Sequence, residues 1–237
     1  PDLWRDDKPM IGMVGARNAS LPGRKMAMNL ARDLGARGYI VASGLARGID
    51  TAAHEGAIAT GTIAVVAGGV DVVYPPENQK LYDDIAARGV VLSEHPCGTE
   101  PKAPYFPRRN RIISGMSRGV VVVEASVNSG SLITARCALE QGREVFAVPG
   151  SPMDPRAGGP NQLIREGAVL VERADHILSA LTLHRPLPQL FDVAHPGYDA
   201  PPPDISDAQL DRLRAQVVEN LSYSPTLIDD LARACTA

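Results

Sequence analysis

The amino-acid sequence predicts an α/β protein with an open, doubly wound and mostly parallel sheet. The first observation is a series of short apolar runs, rich in Val and Ile, of the kind that form parallel strands buried on both faces. The second is that a longer segment with helical periodicity follows each of the first six runs. Strand then helix, repeated six times, implies right-handed crossovers and helices on both faces of one sheet.

The apolar runs place seven strands at residues 10–14, 39–42, 62–67, 90–92, 119–123, 144–148 and 168–171. The helices between and after them are predicted at residues 23–37, 50–60, 77–88, 107–116, 131–141 and 160–166. Asp50 and Ser131 begin two of these helices and are candidate N-caps, because their side chains accept hydrogen bonds from free N–H groups. Glycine follows four helical stretches, where a left-handed residue often ends a helix: Gly38, Gly89, Gly142 and Gly167.

Length and composition exclude several classes of protein. The 237 residues, 44% apolar and 22% charged, are typical of a folded globular chain and not of collagen, a coiled coil or a disordered segment. The sequence has neither an uninterrupted apolar run of about 18 residues nor a secretory signal pattern, so the expected location is the cytoplasm. Cys97, Cys137 and Cys235 form no C-x-x-C pair, so neither a zinc site nor a redox couple is expected.

The chain is predicted to contain one main domain, residues 10–183, between two smaller segments. Residues 1–9, which lack an initiating Met, are interpreted as the remnant of an N-terminal segment. Residues 184–204 are rich in proline and are predicted to form a semi-rigid linker. Residues 205–237 carry two short helical patterns, at 206–220 and 226–234, and are too few to fold alone. We expect them to dock on the main domain or to begin a further helical domain.

Charge is distributed unevenly along the chain. The net charge is −3, so a polyanionic partner would have to be held by a local basic patch. Residues 8–32 and residues 101–118 each contain five cations and no acid, whereas residues 199–237 contain seven acids and three arginines. The two basic windows are therefore the candidate surfaces for an anionic ligand.

Glycine and serine are frequent in the loops that follow the predicted strands. In an open α/β sheet these loops form the ligand site, and the helix N-termini behind them favour anions. Loops of this kind occupy residues 15–20, 43–50, 68–69, 124–131 and 149–151. Arg17 and Arg47 lie in two of them, which favours binding of phosphate groups. The alternative is that glycine is simply required by tight strand-to-helix turns.

Residues 104–111 place three arginines and two aromatic residues at a predicted helix start. Arginine at a helix N-terminus opposes the helix dipole, so helix stability alone does not explain Arg108, Arg109 and Arg111. A phosphate-bearing partner explains them, although a solvated basic face is the alternative. Tyr105 and Phe106 either stack on bases, as in single-strand binders, or fill the core.

Sequence signatures of enzymes are mostly missing. The chain has no P-loop motif, no dinucleotide-binding glycine motif that fits, no G-x-S-x-G elbow and no zinc-binding histidine spacing. Glu94 and Glu124 lie at the ends of two predicted strands, at the edge of the sheet where ligands are expected. Both are candidate general bases, but each is a lone carboxylate. No catalytic residue is therefore predicted.

Several long motifs together resemble the DNA-processing protein A family, also called DprA or Smf. They are VGARNAS, VASGLARGIDTAAHEGA, YPPEN, LSEHPCGTEP, FPRRNRIISGMSRGVVVVEASVNSGSLITARCALEQGREVFAVPG and GPNQLIREGA. The resemblance covers about residues 10–181. It implies an extended Rossmann-like domain that binds single-stranded DNA, dimerises and helps to load the RecA recombinase in natural transformation. It implies neither catalysis nor a cofactor.

The family's DNA-contacting residues carry over onto the positions of this sequence that match its motifs. These are Arg17, Ser43, Gly44, Arg47, Arg108, Arg109, Asn110, Arg111, Ser129, Gly130 and Ser131. Many relatives have a basic residue just before Ser-Gly-Ser, where this chain has Asn128, so we expect one phosphate contact to be either lost or supplied from elsewhere. Residues 224–233 are similar to the opening of the winged-helix domain of many relatives, which gives the C-terminal segment its expected identity.

Three hypotheses for function follow. The first is a sequence-independent single-stranded DNA binding protein that protects incoming DNA and assists RecA, as a homodimer. The second is an enzyme that hydrolyses or modifies a free nucleotide held by the same glycine-rich loops. The third is an interaction scaffold whose acidic tail recruits a basic partner. A long basic groove favours the first, and a closed pocket with a perturbed carboxylate favours the second.

Overall fold

The computed structural model describes residues 8–183, 211–212 and 214–217. The chain divides into two compact units, residues 1–186 and residues 187–237. The predicted linker at 184–204 lies outside the described residues, as do most of the predicted N-terminal remnant and most of the predicted winged-helix segment. Residues 211–212 and 214–217, within the helix predicted at 206–220, are helical.

One sheet of seven parallel strands forms the centre of the first unit. The strands are β1 (Met10–Val14), β2 (Ile40–Ser43), β3 (Thr62–Val65), β4 (Val90–Leu92), β5 (Gly119–Val122), β6 (Glu144–Ala147) and β7 (Val169–Leu170). Their order across the sheet is β4-β3-β2-β1-β5-β6-β7, and all six pairings are parallel. The winding therefore reverses between β1 and β5, where Val14 pairs with Val122. The predicted doubly wound α/β fold is confirmed.

Seven helices in the described part of the chain flank the sheet. They are α1 (Leu21–Ala36), α2 (Ile49–Ala57), α3 (Gln79–Arg88), α4 (Tyr105–Met116), α5 (Gly130–Glu140), α6 (Gly158–Arg165) and α7 (Ala174–Leu183). Single 3-10 turns, Pro76–Asn78 and Pro155–Ala157, precede α3 and α6. The first six helices match predicted ones to within a few residues, whereas α7 was not predicted. None of the helices in the described part of the chain is long and apolar enough to cross a membrane.

Alternate residues of the central strands β1, β2, β5 and β6 pack into two apolar cores, one on each face of the sheet. On β5, Val121 packs with residues of α1, α2 and α7, whereas Val120 and Val122 pack with residues of α4, α5 and α6. A smaller cluster joins Ala64 of β3 to Ile85 of α3. Because both faces are covered, the strands read as continuous apolar runs, which is why they were predictable.

Two predicted helix caps are each wrong by two residues. Ser129, and not Ser131, caps α5, and its hydroxyl accepts a hydrogen bond from the Ser131 N–H. Gly48 precedes α2, so Asp50 lies inside the first turn with a buried side chain. The φ angle is positive at three of the four predicted terminal glycines, the exception being Gly89 at −130°.

Candidate functional site

A cleft along the carboxyl edge of the sheet lies where the winding reverses. It has a volume of about 400 Å³ and lies between the loop that follows β1 and the loop that follows β5. Open α/β sheets bind their ligands at this position. We call it the main cleft. The polar and aromatic side chains that line it are those of Arg17, Asn18, Asp50, Phe106, Arg109, Asn110, Ser126, Ser129, Ser131, Thr134 and Arg156.

A smaller cleft of about 160 Å³ adjoins the main cleft. We call it the side cleft. It is lined by Arg17, Gly44, Ala46, Arg47, Tyr74, Pro75, Pro76, Glu77 and Phe106. Arg17 and Phe106 line both clefts, so the two form one continuous depression with a cation and an aromatic ring at their junction.

Arg17 is the exposed cation at this junction. Its guanidinium carbon lies 5.4 Å from the centre of the Phe106 ring, in a cation–π contact. The Phe106 ring is itself tilted against Tyr74 at 5.7 Å. No acidic side chain among residues 8–183 forms a salt bridge with Arg17. Its charge is therefore free to meet an anion.

The aromatic pair at the start of α4 does not belong to the apolar cores. Phe106 is half-buried and forms a wall of both clefts, so its ring is accessible from the surface. Tyr105, also half-buried, stacks against His95 with 4.3 Å between the ring centres. The interpretation of these rings as a core plug is therefore wrong, and Phe106 is the ring that is accessible from both clefts.

Residues 44–48, which we call the arginine loop, bring Arg47 to the side cleft. Gly48 has a φ of 82°, and a Cβ atom there would collide with the carbonyl of Ala16, so glycine is required. The Ile49 N–H donates to the same carbonyl at 3.2 Å. These contacts lock the arginine loop against the loop that carries Arg17. Arg47 pairs with Glu77 at 3.7 Å, and both side chains are more than half exposed.

Polar side chains hold the arginine loop from beneath. The Asn78 amide donates to the Leu45 carbonyl at 2.8 Å, and the Thr51 hydroxyl donates to the Ala46 carbonyl at 2.9 Å. The Ala46 N–H donates to the Asp50 carboxylate at 3.3 Å. All three hydrogen bonds are made to backbone groups of the arginine loop. The shape of the loop is therefore fixed independently of the exposed Arg47 side chain.

Asp50 and Arg109 are the buried charges of the site, only 6% and 7% exposed. Burial raises the pKa of Asp50 to about 6, although the Arg109 charge opposes this. Burial also lowers the pKa of Arg109 to about 10, with the Asp50 charge opposing. Arg109 Nη1 donates to the Gly44 carbonyl at 2.7 Å and bonds the Val65 carbonyl as well.

Asn110 and the exposed arginines of α4 have different surroundings. Asn110 lines the main cleft, and its amide donates to the Gly130 carbonyl at 3.4 Å. Arg111 pairs with Glu94, whereas Arg108 is exposed without a salt bridge among the described residues. Arg108 and Arg111 line neither cleft. They lie on the helix that borders the main cleft and extend its basic surface.

The two candidate general bases have other contacts. Glu94 is paired with Arg111, and the Glu124 carboxylate accepts hydrogen bonds from the Ser20 N–H at 2.9 Å and from the Ser20 hydroxyl. Neither residue lines the main cleft. Their expected position at a reacting centre is therefore not supported by the geometry.

The N-terminus of α5 is open to the main cleft. Ser129, Gly130 and Ser131 all line it, and the Ser131 hydroxyl donates to the Gly15 carbonyl at 2.8 Å, which ties the loops after β1 and β5 together. A helix N-terminus with small residues favours an anion. Asn128 is exposed and lies outside both clefts, so it does not replace a cation there.

The structure brings together most of the predicted site residues. Six line the main cleft: Arg17, Arg109, Asn110, Ser129, Gly130 and Ser131. Gly44 and Arg47 line the side cleft. Ser43 is different, because it is fully buried and its hydroxyl donates to the Met13 carbonyl at 2.6 Å. Its expected contact with DNA does not fit this position.

Several residues of the clefts are outside the predicted site set, among them Asn18, Tyr74 and Arg156. Asn18 follows Arg17 in the same glycine-containing loop, so its position beside a predicted site residue could have identified it as a cleft residue. Arg156 reaches the cleft from the segment after β6, where its guanidinium pairs with Asp154 at 2.9 Å. Among the described residues, no three His, Cys, Asp or Glu side chains are grouped so that they could hold a metal ion.

Comparison with known proteins places the chain among DNA-processing proteins. Residues 2–182 match the model of a family described as DNA recombination-mediator protein A. The DNA processing protein DprA of Bacillus subtilis is 51% identical over 173 residues, which cover 72% of this chain and 58% of that protein. Protein Smf of Escherichia coli is 46% identical over 72% of this chain and 46% of its own length. The chain thus spans about half the length of these curated relatives.

Solved structures give the same result. An X-ray structure of DprA from Streptococcus pneumoniae is 44% identical and matches with a TM-score of 0.70 over 75% of this chain and 62% of that one. A Helicobacter pylori DprA structure, described as showing a single-stranded DNA binding mode, is 29% identical, with a TM-score of 0.69 over 75% and 82%. A molybdenum cofactor binding protein of Rippkaea orientalis, 16% identical with a TM-score of 0.54 over 75% and 98%, shares the fold alone.

Proposed function

The chain belongs to the DNA recombination-mediator protein A family, and from that premise we propose that it binds single-stranded DNA along the main and side clefts. Binding is independent of sequence and involves no catalysis. The strand's phosphates are held by Arg17 and Arg47 and by the N-terminus of α5, while Gly44, Arg108, Asn110 and Arg111 border its path.

The observation that carries this proposal is the junction of the two clefts. An exposed arginine there lies over an accessible aromatic ring, 5.4 Å from its centre. A nucleotide strand presents a phosphate and a base face at every step, so a cation beside a ring suits any sequence. A continuous depression of two clefts also suits a polymer better than a closed pocket does.

We extend the proposal to the partners that the family resemblance implies. The DNA-bound protein assembles as a homodimer in the cytoplasm, protects incoming DNA and assists loading of RecA in transformation and recombination. Support comes from family membership, and the test is RecA nucleation on single-stranded DNA with and without the protein. An unchanged nucleation rate would contradict this part of the proposal and leave DNA binding intact.

One observation favours the alternative of a nucleotide-modifying enzyme. Asp50 lines the main cleft, and burial raises its pKa to about 6, as expected of a general base. Its carboxylate, however, accepts from the Ala46 N–H and lies near the Arg109 charge, so it already has a structural role. We therefore place this function second.

The experiment is fluorescence anisotropy of a labelled oligothymidine at several salt concentrations, with duplex DNA and a mononucleotide as competitors. Each phosphate neutralised on a single strand contributes about −0.7 to the log–log salt slope. Arg17→Ala and Arg47→Ala should each weaken binding to every sequence and flatten that slope by about 0.7.

Arg88→Ala is the matched control. Arg88 is exposed at the last residue of α3, at the sheet edge opposite the clefts, so its removal should leave affinity and slope unchanged. An unchanged slope in both cleft variants would contradict the assignment. Displacement by a low concentration of mononucleotide, with turnover of that nucleotide, would support the enzyme instead.

A further inference from the structure

We propose that Arg109 and Asp50 are a positioning pair that fixes the backbone of the arginine loop, and that neither residue contacts the DNA. This inference rests on the proposed single-stranded DNA site. It changes the role expected for Arg109 from a phosphate contact to a support for the residues that make such contacts.

The bonds of Arg109 are directed into the protein. Its Nη1 donates to the carbonyl of Gly44, at 2.7 Å, and to that of Val65, which lie at the ends of two adjacent strands. Only 7% of the residue is exposed, although it borders the main cleft. A guanidinium engaged in this way joins the ends of β2 and β3 and has little surface left for a phosphate.

Asp50 secures the other side of the same loop. Its carboxylate accepts from the Ala46 N–H at 3.3 Å, and the residue is 6% exposed. Gly44 lies between the two charges, because a Cβ atom there would come within 2.7 Å of both Arg109 Nη2 and Asp50 Oδ2. A glycine is thus required for the two buried charges to hold the loop from both sides.

The loop needs this support because its backbone is strained. Leu45 has a φ of 60°, a left-handed conformation that is unfavourable for a branched aliphatic residue and persists only where surrounding contacts impose it. Arg47 follows two residues later and faces the side cleft. Loss of either buried charge would release the backbone and let the Arg47 guanidinium leave its position.

The test is a double-mutant cycle on oligothymidine binding. Arg109→Lys keeps the charge but cannot bond both carbonyls in the same geometry, and Asp50→Asn removes the opposing charge. Each should weaken binding about tenfold in the wild-type background and less than about twofold when Arg47→Ala is already present, since coupled residues are non-additive. Combined with Arg17→Ala, the losses should remain additive.

Thermal unfolding of each variant confirms that it is folded at the assay temperature, and Arg88→Lys is the control with unchanged binding. A loss for Arg109→Lys that adds fully to that of Arg47→Ala would overturn the inference, as would full affinity in Arg109→Lys and Asp50→Asn. General loosening of the fold would give equal losses in both backgrounds and also contradicts it. If the wild-type protein fails to bind the strand, the proposed function fails first, and the positioning role fails with it.

Discussion

At the level of single residues, His54 and Asp50 lie one turn apart on α2, and burial shifts their pKa values in opposite directions. The His54 Nδ1 lies 2.7 Å from the Thr62 hydroxyl oxygen, and that hydroxyl donates its own proton to the Val41 carbonyl at 2.8 Å. The ring therefore carries a proton on Nδ1. Burial and the Arg109 charge lower its pKa to about 3.

These shifts predict how stability depends on pH. For His54 the unfolded chain takes up a proton below its ordinary pKa of 6.5, so the stability contributed by the neutral ring is lost as pH falls toward 3. For Asp50 the folded state holds the proton between pH 3.8 and about 6, so stability is lost as pH rises through that window. The two contributions oppose each other between about pH 4 and 6.

The substitution Asp50→Asn should separate the contribution of Asp50 to pH-dependent stability from that of His54. Relative to wild type, the variant should gain on the order of 2 kcal/mol of unfolding free energy as pH rises from about 4 to 6, because only the histidine contribution remains. Urea unfolding at four pH values measures this. His54→Gln should give the opposite trend, and parallel curves for wild type and Asp50→Asn would contradict the raised pKa of Asp50.

Under the proposed function, Glu77 would compete with the DNA phosphates for Arg47. The two side chains form a surface ion pair at 3.7 Å, which contributes little to stability. Glu77→Gln should therefore leave the melting temperature nearly unchanged and strengthen oligothymidine binding about threefold at low salt, with the gain shrinking as salt screens the charges. Asp175→Asn breaks a comparable exposed pair with Arg37, at 3.0 Å, outside both clefts and is the control. Equal affinity in wild type and Glu77→Gln would count against Arg47 as a phosphate contact.

At the level of helices and strands, the N-termini of α1 and α5 both point to the carboxyl edge of the sheet. They differ in whether a carboxylate of the protein already occupies the anion position at the helix end. At the N-terminus of α1, the Glu124 carboxylate accepts hydrogen bonds from the Ser20 N–H and hydroxyl. A Cβ atom at Gly23 would collide with this carboxylate. Ser129 caps α5, and its cap faces the main cleft. The chain's own carboxylate thus takes the anion position on α1, and α5 remains available to a phosphate.

Glu124→Ala should consequently affect stability and not DNA binding. Loss of charge-assisted bonds at a helix N-terminus should cost about 1–2 kcal/mol in urea unfolding, while the salt slope on oligothymidine stays at the wild-type value. Ser129→Ala should cost about 1 kcal/mol as a lost cap and should also weaken binding. A Glu124→Ala variant that keeps its stability but loses turnover of a nucleotide would support the enzyme hypothesis.

The strands were predictable from sequence, and the reasons for the failures are physical. β1 has the predicted bounds because a buried parallel strand is continuously apolar, and β4, a half-buried edge strand, is also apolar at every position. α7 was missed because it lies between two weak signals. It follows the two-residue strand β7, and it directly precedes the proline-rich stretch at which the domain boundary was predicted. Asp50 was mistaken for a cap because sequence alone does not show that the helix begins at Ile49, directly after Gly48, without a side-chain cap.

For the whole molecule, the sheet topology explains which site residues the sequence could predict. Loops after parallel strands meet at one edge, so the neighbourhood of Arg17, Arg47 and Ser129 followed from their positions after β1, β2 and β5. The burial of Arg109 could not be predicted. Its partners are carbonyls 65 and 44 residues away, and only the packing of α4 against the sheet brings them together.

The continuity of the two clefts leads to a prediction about ligand length. The net charge is −3, so the overall field of the molecule does not attract DNA, and affinity must come from local contacts along the depression. Each nucleotide added to an oligothymidine should therefore strengthen binding until both clefts are filled, and the salt slope should steepen by about 0.7 for each phosphate gained. Thymidine monophosphate should bind weakly, because it reaches only one of the clefts joined at Arg17. Anisotropy competition with oligomers of one to eight nucleotides or so measures both quantities. If the monophosphate competes as well as the longest oligomer, the depression is a small-ligand pocket and the polymer is not its ligand.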